Sequence, residues 1–315
     1  MFKMYFFLFS LFATFFLQAA DDLAVIVIGY NRPGYLEKVL ASLAENPESE
    51  KLPIYFFFDG GPDSAQEQNY EVARSFSFPN AHYTLRESNW GCPKNIIDAR
   101  RQIFDVLKYD KALVLEDDQV LSPNYIRFIL ALYHWCKENM ENVGLVSGWN
   151  PCVLPLEEKQ KHLHEVAFST QNLWAYIIDK ECWDKIKDVY YEYEKLFLQE
   201  GGRSHHIRAS AIRRWIRKKI MGLNPSYLKR KKPSFFGINL LSNSYPIGQD
   251  GICVLGLWLN NLTHVATLVN RSVNIGEMGL NSTPEFFNKY FKGVSLDIFT
   301  EDEEISEFTL LKTTL

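Results

Sequence analysis

No C-x-x-C pair and no zinc-type spacing links the five cysteines, Cys92, Cys136, Cys152, Cys182 and Cys253, which excludes a zinc site of that kind. Their odd number leaves at least one thiol unpaired, and ordinary buried thiols are expected. Excess positive charge is also missing. The formal net charge is −4, so the overall balance argues against nucleic acid as a partner. No internal repeat is visible. Nor is any apolar run of comfortable membrane-spanning length: Tyr5 to Leu17 is apolar apart from Ser10 and Thr14, but short for a span. What is abundant is core-forming material. Hydrophobic residues make up 47% of the 315 positions and aromatic residues 15%. That describes a globular chain of one large domain or two intimate halves, and excludes a disordered one.

Residues 1–20 read as a targeting segment. Lys3 supplies a thin positive end and Gln18-Ala19-Ala20 a small-residue cleavage end, so a signal peptide is favoured over a short uncleaved anchor. Leu23 to Tyr30 is a continuous apolar strand, and Asn31-Arg32-Pro33-Gly34 turns it into a helix with Pro33 at its start. Pro53 to Phe58 and Ala81 to Leu85 are two further strands. A helix opens at Asn89-Trp90-Gly91-Cys92-Pro93 and runs through Leu107, with Ile96, Ile97, Ile103 and Leu107 inward. The alternation of strands and helices predicts an α/β fold: a Rossmann-like, doubly wound, mostly parallel sheet. Strands are also expected over 143–147, 173–178 and 264–269, and helices from Ser122 to about Lys137, from Lys180, and over 249–260.

The sharpest local signal is Ala112-Leu113-Val114-Leu115-Glu116-Asp117-Asp118. Four apolar residues make a buried strand, and three carboxylates follow at its carboxyl end, where open α/β sheets bind ligands. Acids packed together repel unless a cation lies among them. Hard oxygen ligands beside a nucleotide-type fold suit Mg²⁺ or Mn²⁺. A solvated acidic turn is the plainer reading of the same letters.

These pieces resemble a GT-A glycosyltransferase, in particular the N-acetylglucosaminyltransferase I and hemolysin-associated, family 2-like group. V-I-V-I-G-Y-N-R-P at 25–33 looks like its opening strand, F-F-F-D-G-G at 56–61 like its second strand, and L-V-L-E-D-D at 113–118 like its metal motif in E-D-D form. Trp174-Ala175-Tyr176 and Ser272-Val273-Asn274-Ile275-Gly276 are similar to two later segments. The resemblance covers roughly residues 23–285. It implies a nucleotide-sugar half at 21–118, an acceptor half at 119–285 and a peripheral tail at 286–315. It also implies a nucleotide-sugar donor, UDP-linked by preference, and Mn²⁺ or Mg²⁺ as cofactor.

By the same resemblance Asn31 and Arg32 lie near the nucleotide and Asp59 hydrogen-bonds the base. Asp118 contacts the metal, with Glu116 and Asp117 on ribose or water. Lys94 reaches the diphosphate from the start of its helix, and Trp174 and Trp149 stack on sugar faces. Asp250, in Ile247-Gly248-Gln249-Asp250-Gly251, is the late Asp that serves inverting members as general base. Bland readings stand beside each: turn formers at Arg32 and Asp59, a solvated Lys94, packed tryptophans, and a helix N-cap at Asp250. His264 is either a late metal ligand or structural.

Residues 203–232 hold eleven Lys or Arg and no acid. The choices are a solvated helix face, a lid over the diphosphate, or a surface for anionic lipid. Asn261, Asn270 and Asn281 start glycosylation triplets, which matter only in a secretory lumen. The expected location is that lumen, or, in a bacterium, the cytoplasmic face of the membrane. The acceptor class, glycan, protein or lipid, is left open. Two other functions fit less well. A sugar nucleotidyltransferase wants a Gly-rich, Lys-bearing loop after the first strand, and Gly29 to Gly34 supplies little of it. A degenerate transferase that only binds a glycan or nucleotide has no need to keep Glu116-Asp117-Asp118 and Asp250.

Overall fold

The computed structural model describes residues 23–61, 64–150, 156–169, 173–199, 209–223, 234–235, 238–279, 282–290 and 307–314. The expected leader at 1–20, Asn281, and both flanks of the basic segment lie outside the described residues.

The first half alternates strictly: β1 (Leu23–Gly29), α1 (Pro33–Ala44), β2 (Ile54–Phe58), α2 (Ala65–Ser75), β3 (Ala81–Leu85), α3 (Cys92–Arg101), β4 (Lys111–Glu116) and a short β5 (Gln119–Leu121). The second half continues with α4 (Tyr125–Asn139), β6 (Val143–Ser147), α5 (Leu156–Lys159), β7 (Glu165–Phe168), β8 (Tyr176–Asp179), α6 (Lys180–Phe197) and α7 (Ala209–Met221). It ends with the pair β9 (Ser234–Phe235) and β10 (Ile238–Asn239), then α8 (Gln249–Leu259), β11 (Thr263–Thr267), β12 (Ser272–Asn274), α9 (Pro284–Tyr290) and β13 (Thr309–Thr314).

Among the described residues, nine strands form one sheet in the order β13-β7-β11-β6-β8-β4-β1-β2-β3. Its centre is buried on both faces, which is why β1 and β4 read as unbroken apolar runs. Alternate residues of β1 serve opposite layers. Ala24, Ile26 and Ile28 pack with α3, α6, α7 and α8, whereas Leu23, Val25 and Val27 pack with α1 and α4. Each fully buried Leu, Ile or Val contributes about 1.5–3 kcal/mol relative to exposure.

Three local expectations change. β8 runs antiparallel to both neighbours, β4 and β6. No helix separates the loop at Leu173 to Ala175 from β8, so the chain enters the sheet at its carboxyl edge and runs back down. The strand expected over 173–178 starts only at Tyr176, because Ala175 adopts a left-handed φ of 43°. Leu107 is not inward but 46% exposed. A π-helical turn over Gln102–Val106 adds a residue after α3 and rotates Leu107 off the apolar face. Ile96, Ile97 and Ile103 remain buried.

The acid-poor basic segment is described over 209–223. Ile212, Trp215, Ile216 and Ile220 of α7 are buried, while Arg214, Arg217 and Lys218 are exposed. The end of the tail lies against the sheet: β13 pairs with β7 in parallel, and Phe308 packs edge-on against Phe128 and Trp135. No helix among the described residues is long and apolar enough to cross a membrane.

Candidate functional site

Parallel pairing sets Ile28 opposite Glu116 and Gly29 opposite Phe58. Tyr30 to Arg32, Asp59 and Glu116 to Asp118 therefore leave the sheet together at one edge. A tight turn at Asp117 and Asp118 leads into β5, which pairs with β12 so that Asn274 lies opposite Gln119. The late S-V-N-I-G segment is thereby fastened to the E-D-D turn. Asn274 Nδ2 donates to Asp118 Oδ1 at 3.0 Å, and the Ile275 N–H donates to the Asp118 carbonyl at 2.8 Å. Gly276 comes so close that a Cβ there would sit 2.3 Å from Asp118 Oδ2 and 3.1 Å from Arg32 Nη1.

Arg32 lies between the two aspartates. Its Nη2 pairs with Asp117 Oδ1, and its Nη1 lies 2.8 Å from Asp118 Oδ2. Burial opposes the guanidinium charge, but Asp117 and Asp118 outweigh it and hold Arg32 above its ordinary value. Burial pushes Asp117 up to about 6; Arg32 pulls against this and Asp118 adds to it. Glu116 is pushed well above the carboxylate range by burial, then by the charges of Asp118, Asp250 and Asp117. Cys92, at the start of α3, has one side open to solvent. Burial of the rest, with the charges of Glu116 and Asp250 next, pushes its thiol well up. A side chain that water reaches but acids surround lines a cleft.

Asp250 faces the same cleft from α8. It does not cap the helix: Gly248 is the N-cap and Asp250 the second helical residue. Its Oδ1 accepts from Gln249 Nε2. Burial pushes its carboxyl up to about 6, against the pull of Arg100.

The remaining expected residues have other surroundings. Asp59 is 3% exposed. Its Oδ1 accepts from the N–H of Trp90 at 2.7 Å and of Gly60 at 3.0 Å, and its Oδ2 from the N–H of Gly91 at 2.7 Å. Burial raises its carboxyl, and these three bonds oppose that. The three bonds tie Asp59 to the loop that launches α3. Lys94 stacks its ammonium 4.5 Å from the centre of the Trp90 ring. Asn31 is exposed next to Arg32. Trp174 is half-buried with its ring 4.4 Å from that of Trp149, which is itself buried. Trp149 therefore offers no free face. His264, 1% exposed in β11, bonds Ser147 Oγ through Nε2 at 2.9 Å, and burial pushes it down to about 3. It is neutral and structural. Asn270 holds Asn150 through three hydrogen bonds.

Sequence reasoning missed Arg100, Gln249 and the grip of Asn274 on Asp118. Arg100 carried a signal: four residues from Ile96 and three from Ile97, it shares their inward helical face.

The acids have chemistry to spare. Among the described residues, Glu116, Asp117, Asp118 and Asp250 face two guanidiniums, the half-buried Arg32 and the buried Arg100. Hard oxygens carrying that surplus fit a divalent cation. Among the described residues no group of three or more His, Cys, Asp or Glu is arranged to hold a metal ion. The fit is therefore one of charge and donor type. A cavity of about 200 Å³ beside Lys137, Asn142 and Glu181 involves none of the acids in the cleft.

Residues 24–143, from β1 to the start of β6, match glycosyl transferase family 2. Among the described residues the sheet is mixed and mostly parallel and lies between helical layers, the α/β architecture expected from the sequence. Among solved structures the chain is similar to residues 1–349 of S. aureus TarS, at 14% identity and TM-score 0.43, covering 90% of this chain and 67% of that one. It is also similar to the mannosyltransferase PcManGT of Pyrobaculum calidifontis in complex with GDP-Man and Mn²⁺ (14% identity, TM-score 0.42, 76% and 74% covered). A third likeness is to TarS 1–349 in complex with UDP-GlcNAc (18% identity, TM-score 0.37, 53% and 48% covered). No curated protein matches.

Proposed function

We propose that the protein transfers a hexosyl or N-acetylhexosaminyl group from a nucleotide-sugar donor, UDP-linked by preference, to an acceptor hydroxyl with inversion. One observation carries this reading. The E-D-D turn at the carboxyl end of β4, gripped by Arg32 and Asn274, shares its cleft with the half-buried Asp250 of α8. The family match over 24–143 supports it.

Asp250 is the general base. Raised to about 6, it is still mostly ionised at neutral pH and sits close enough to working pH to accept a proton usefully. The acceptor hydroxyl gives its proton to Asp250 as its oxygen attacks the anomeric carbon. Attack opposite the departing nucleotide inverts that carbon. Arg32 holds the donor-side acids in register, and Lys94 and the start of α3 lie on the side where a diphosphate is favoured. Asp118 would hold Mg²⁺ or Mn²⁺, with Glu116 and Asp117 on ribose or water. Such a cation acts as a Lewis acid on the leaving diphosphate.

The exposed basic face of α7, with Arg214, Arg217 and Lys218, is proposed to meet an anionic membrane surface. That agrees with a membrane-associated site of action. The deciding experiment is a donor screen: UDP- and GDP-sugars incubated with the full chain and Mn²⁺, nucleotide release followed, and the anomer of the product read by NMR. Turnover of none of them removes the transferase reading in favour of a binding module.

A further inference from the structure

Arg100 lies behind Asp250 and is not used by the proposed chemistry. It is 0% exposed, on the inward face of α3. Its guanidinium lies 5.5 Å from the Tyr176 ring centre and 5.1 Å from that of Tyr190. Among the described residues its Nε and Nη1 have no hydrogen-bond partner. Nη2 donates to the Tyr176 hydroxyl, and more weakly, at 3.4 Å, to Gln249 Oε1. Among the described residues no carboxylate is bonded to it directly. A buried guanidinium held by neutral groups is costly to keep, and an apolar residue of similar size usually serves a core better.

Gln249 links that charge to Asp250. Arginine only donates and a carboxylate only accepts, so the two ends of the Gln249 amide are fixed by their neighbours. Its Oε1 must face Arg100, and its Nε2 must then donate to Asp250 Oδ1. The backbone at that point is held too: the Tyr190 hydroxyl donates to the Gln249 carbonyl at 3.2 Å, and the Tyr245 hydroxyl to the Gly251 carbonyl at 2.5 Å. A Cβ on Gly251 would lie 2.0 Å from the Pro246 carbonyl oxygen, so that position takes no side chain without moving the turn into α8.

We propose that Arg100 and Gln249 are positioning residues for Asp250: the buried guanidinium orients the amide, the amide holds Oδ1, and Oδ2 is left to take the acceptor's proton. This deepens the general-base reading and rests on it. Other charges also bear on Asp250. Glu116 faces it from β4 and Cys92 from α3, and Tyr176 of β8 and Cys253 of α8 lie beside it. Of these, only Arg100 favours the ionised carboxylate.

The test uses the full chain with ¹³C-labelled aspartate. The Asp250 carboxyl signal is identified by its loss in Asp250→Asn and titrated from pH 4 to 9. Arg100→Met removes the charge and keeps an apolar stem; the midpoint is expected to rise by about one unit. Gln249→Met leaves Arg100 and both tyrosines in place and is expected to raise the midpoint less. Arg100→Lys keeps a charge and is expected to bring the midpoint back towards the wild type. Donor hydrolysis, assayed over the same range, should lose activity on the acid side in step. At pH 6 a one-unit rise leaves about a tenth of the sites ionised instead of half, about a fivefold loss. An unmoved midpoint in both Arg100→Met and Gln249→Met overturns the proposal and makes Arg100 a core residue only. Should Arg100→Met not fold, Gln249→Met decides. Midpoints that move while turnover ignores them leave the positioning intact and remove Asp250 as the base.

Discussion

Replacing Asp250 with asparagine is expected to stabilise the protein at neutral pH while stopping the transfer reaction. The carboxyl titrates near 6 in the fold, against an ordinary value of 3.8. Two units at 1.36 kcal/mol each make burial of the charge cost up to about 3 kcal/mol. One favourable contribution opposes this. As the second residue of α8, the carboxylate lies in the first turn, where a negative charge is worth about 0.3–1 kcal/mol. Burial wins, and the net gain for asparagine is about 2 kcal/mol. The sign with pH follows from proton counting. Between about pH 4 and 6 the folded state keeps a proton that the unfolded chain has lost, so wild-type stability falls as pH rises through that window. Above it the full penalty applies; below it there is none. Urea unfolding at pH 4 and pH 7.5 reads the difference, expected near zero at the lower pH and about 2 kcal/mol at the higher. In a chain of this size that is about 4 °C in Tm. Turnover of the donor should fall by about 10²–10⁴-fold. A variant less stable than the wild type at pH 7.5, or a stability difference that ignores pH, would refute the argument and make Asp250 a structural acid.

The other predictions concern the donor side and the surface. Gly276→Ala should push Asp118 away from its grip, because the new Cβ overlaps Oδ2; calorimetry with UDP and Mn²⁺ should show binding weakened at least about tenfold, about 1.4 kcal/mol, and unchanged affinity would mean the cleft is not the nucleotide site. UDP or GDP should raise Tm only with Mn²⁺ or Mg²⁺ present, the fold gaining about 2.7 kcal/mol at a hundredfold excess over Kd; equal stabilisation in EDTA, or with Asp118→Ala, removes the cation from the cleft. Charge reversal at Arg214, Arg217 and Lys218 should abolish sedimentation with phosphatidylserine vesicles at low salt, and sedimentation equal to the wild type would leave α7 a solvated face.

Much of this site was legible as letters, and what was missed shares one cause. Unbroken apolar runs announced β1, β2 and β4, and the E-D-D after the third marked the edge where the acids gather. Letters do not record direction, so β8 was expected as one more strand and not as an antiparallel insertion between β4 and β6. They do not record backbone donors either. Asp59 was expected beside a base, and the letters gave no sign that the N–H groups of Gly60, Trp90 and Gly91 also bond its carboxylate. The π-helical turn that exposes Leu107 is a backbone event with no side-chain signature. Arg100 was the opposite case. Its spacing from Ile96 and Ile97 pointed inward, but an arginine is read as surface by default.

The two guanidiniums divide the cleft. Arg32 neutralises the donor side, pairing with Asp117 and Asp118 at the β4 turn. Arg100 acts on the base side, through Gln249 and Asp250. Four carboxyl groups against two arginines leave up to two negative charges when all are ionised. A donor diphosphate brings about two more. On the proposed reading the donor therefore meets a repelling cleft unless a cation arrives with it. One divalent ion offsets the protein's surplus alone, and the diphosphate then completes its ligands, which is how Mg²⁺ is ordinarily held. Removing Arg32 and removing the cation are consequently different injuries. Loss of the cation leaves an intact but repelling cleft. Loss of Arg32 leaves Asp117 and Asp118 buried without their partner, a change that typically costs about 3–5 kcal/mol of stability. Arg32→Met should thus lower Tm even where no nucleotide or metal is added, whereas EDTA alone should leave Tm of the free protein unchanged.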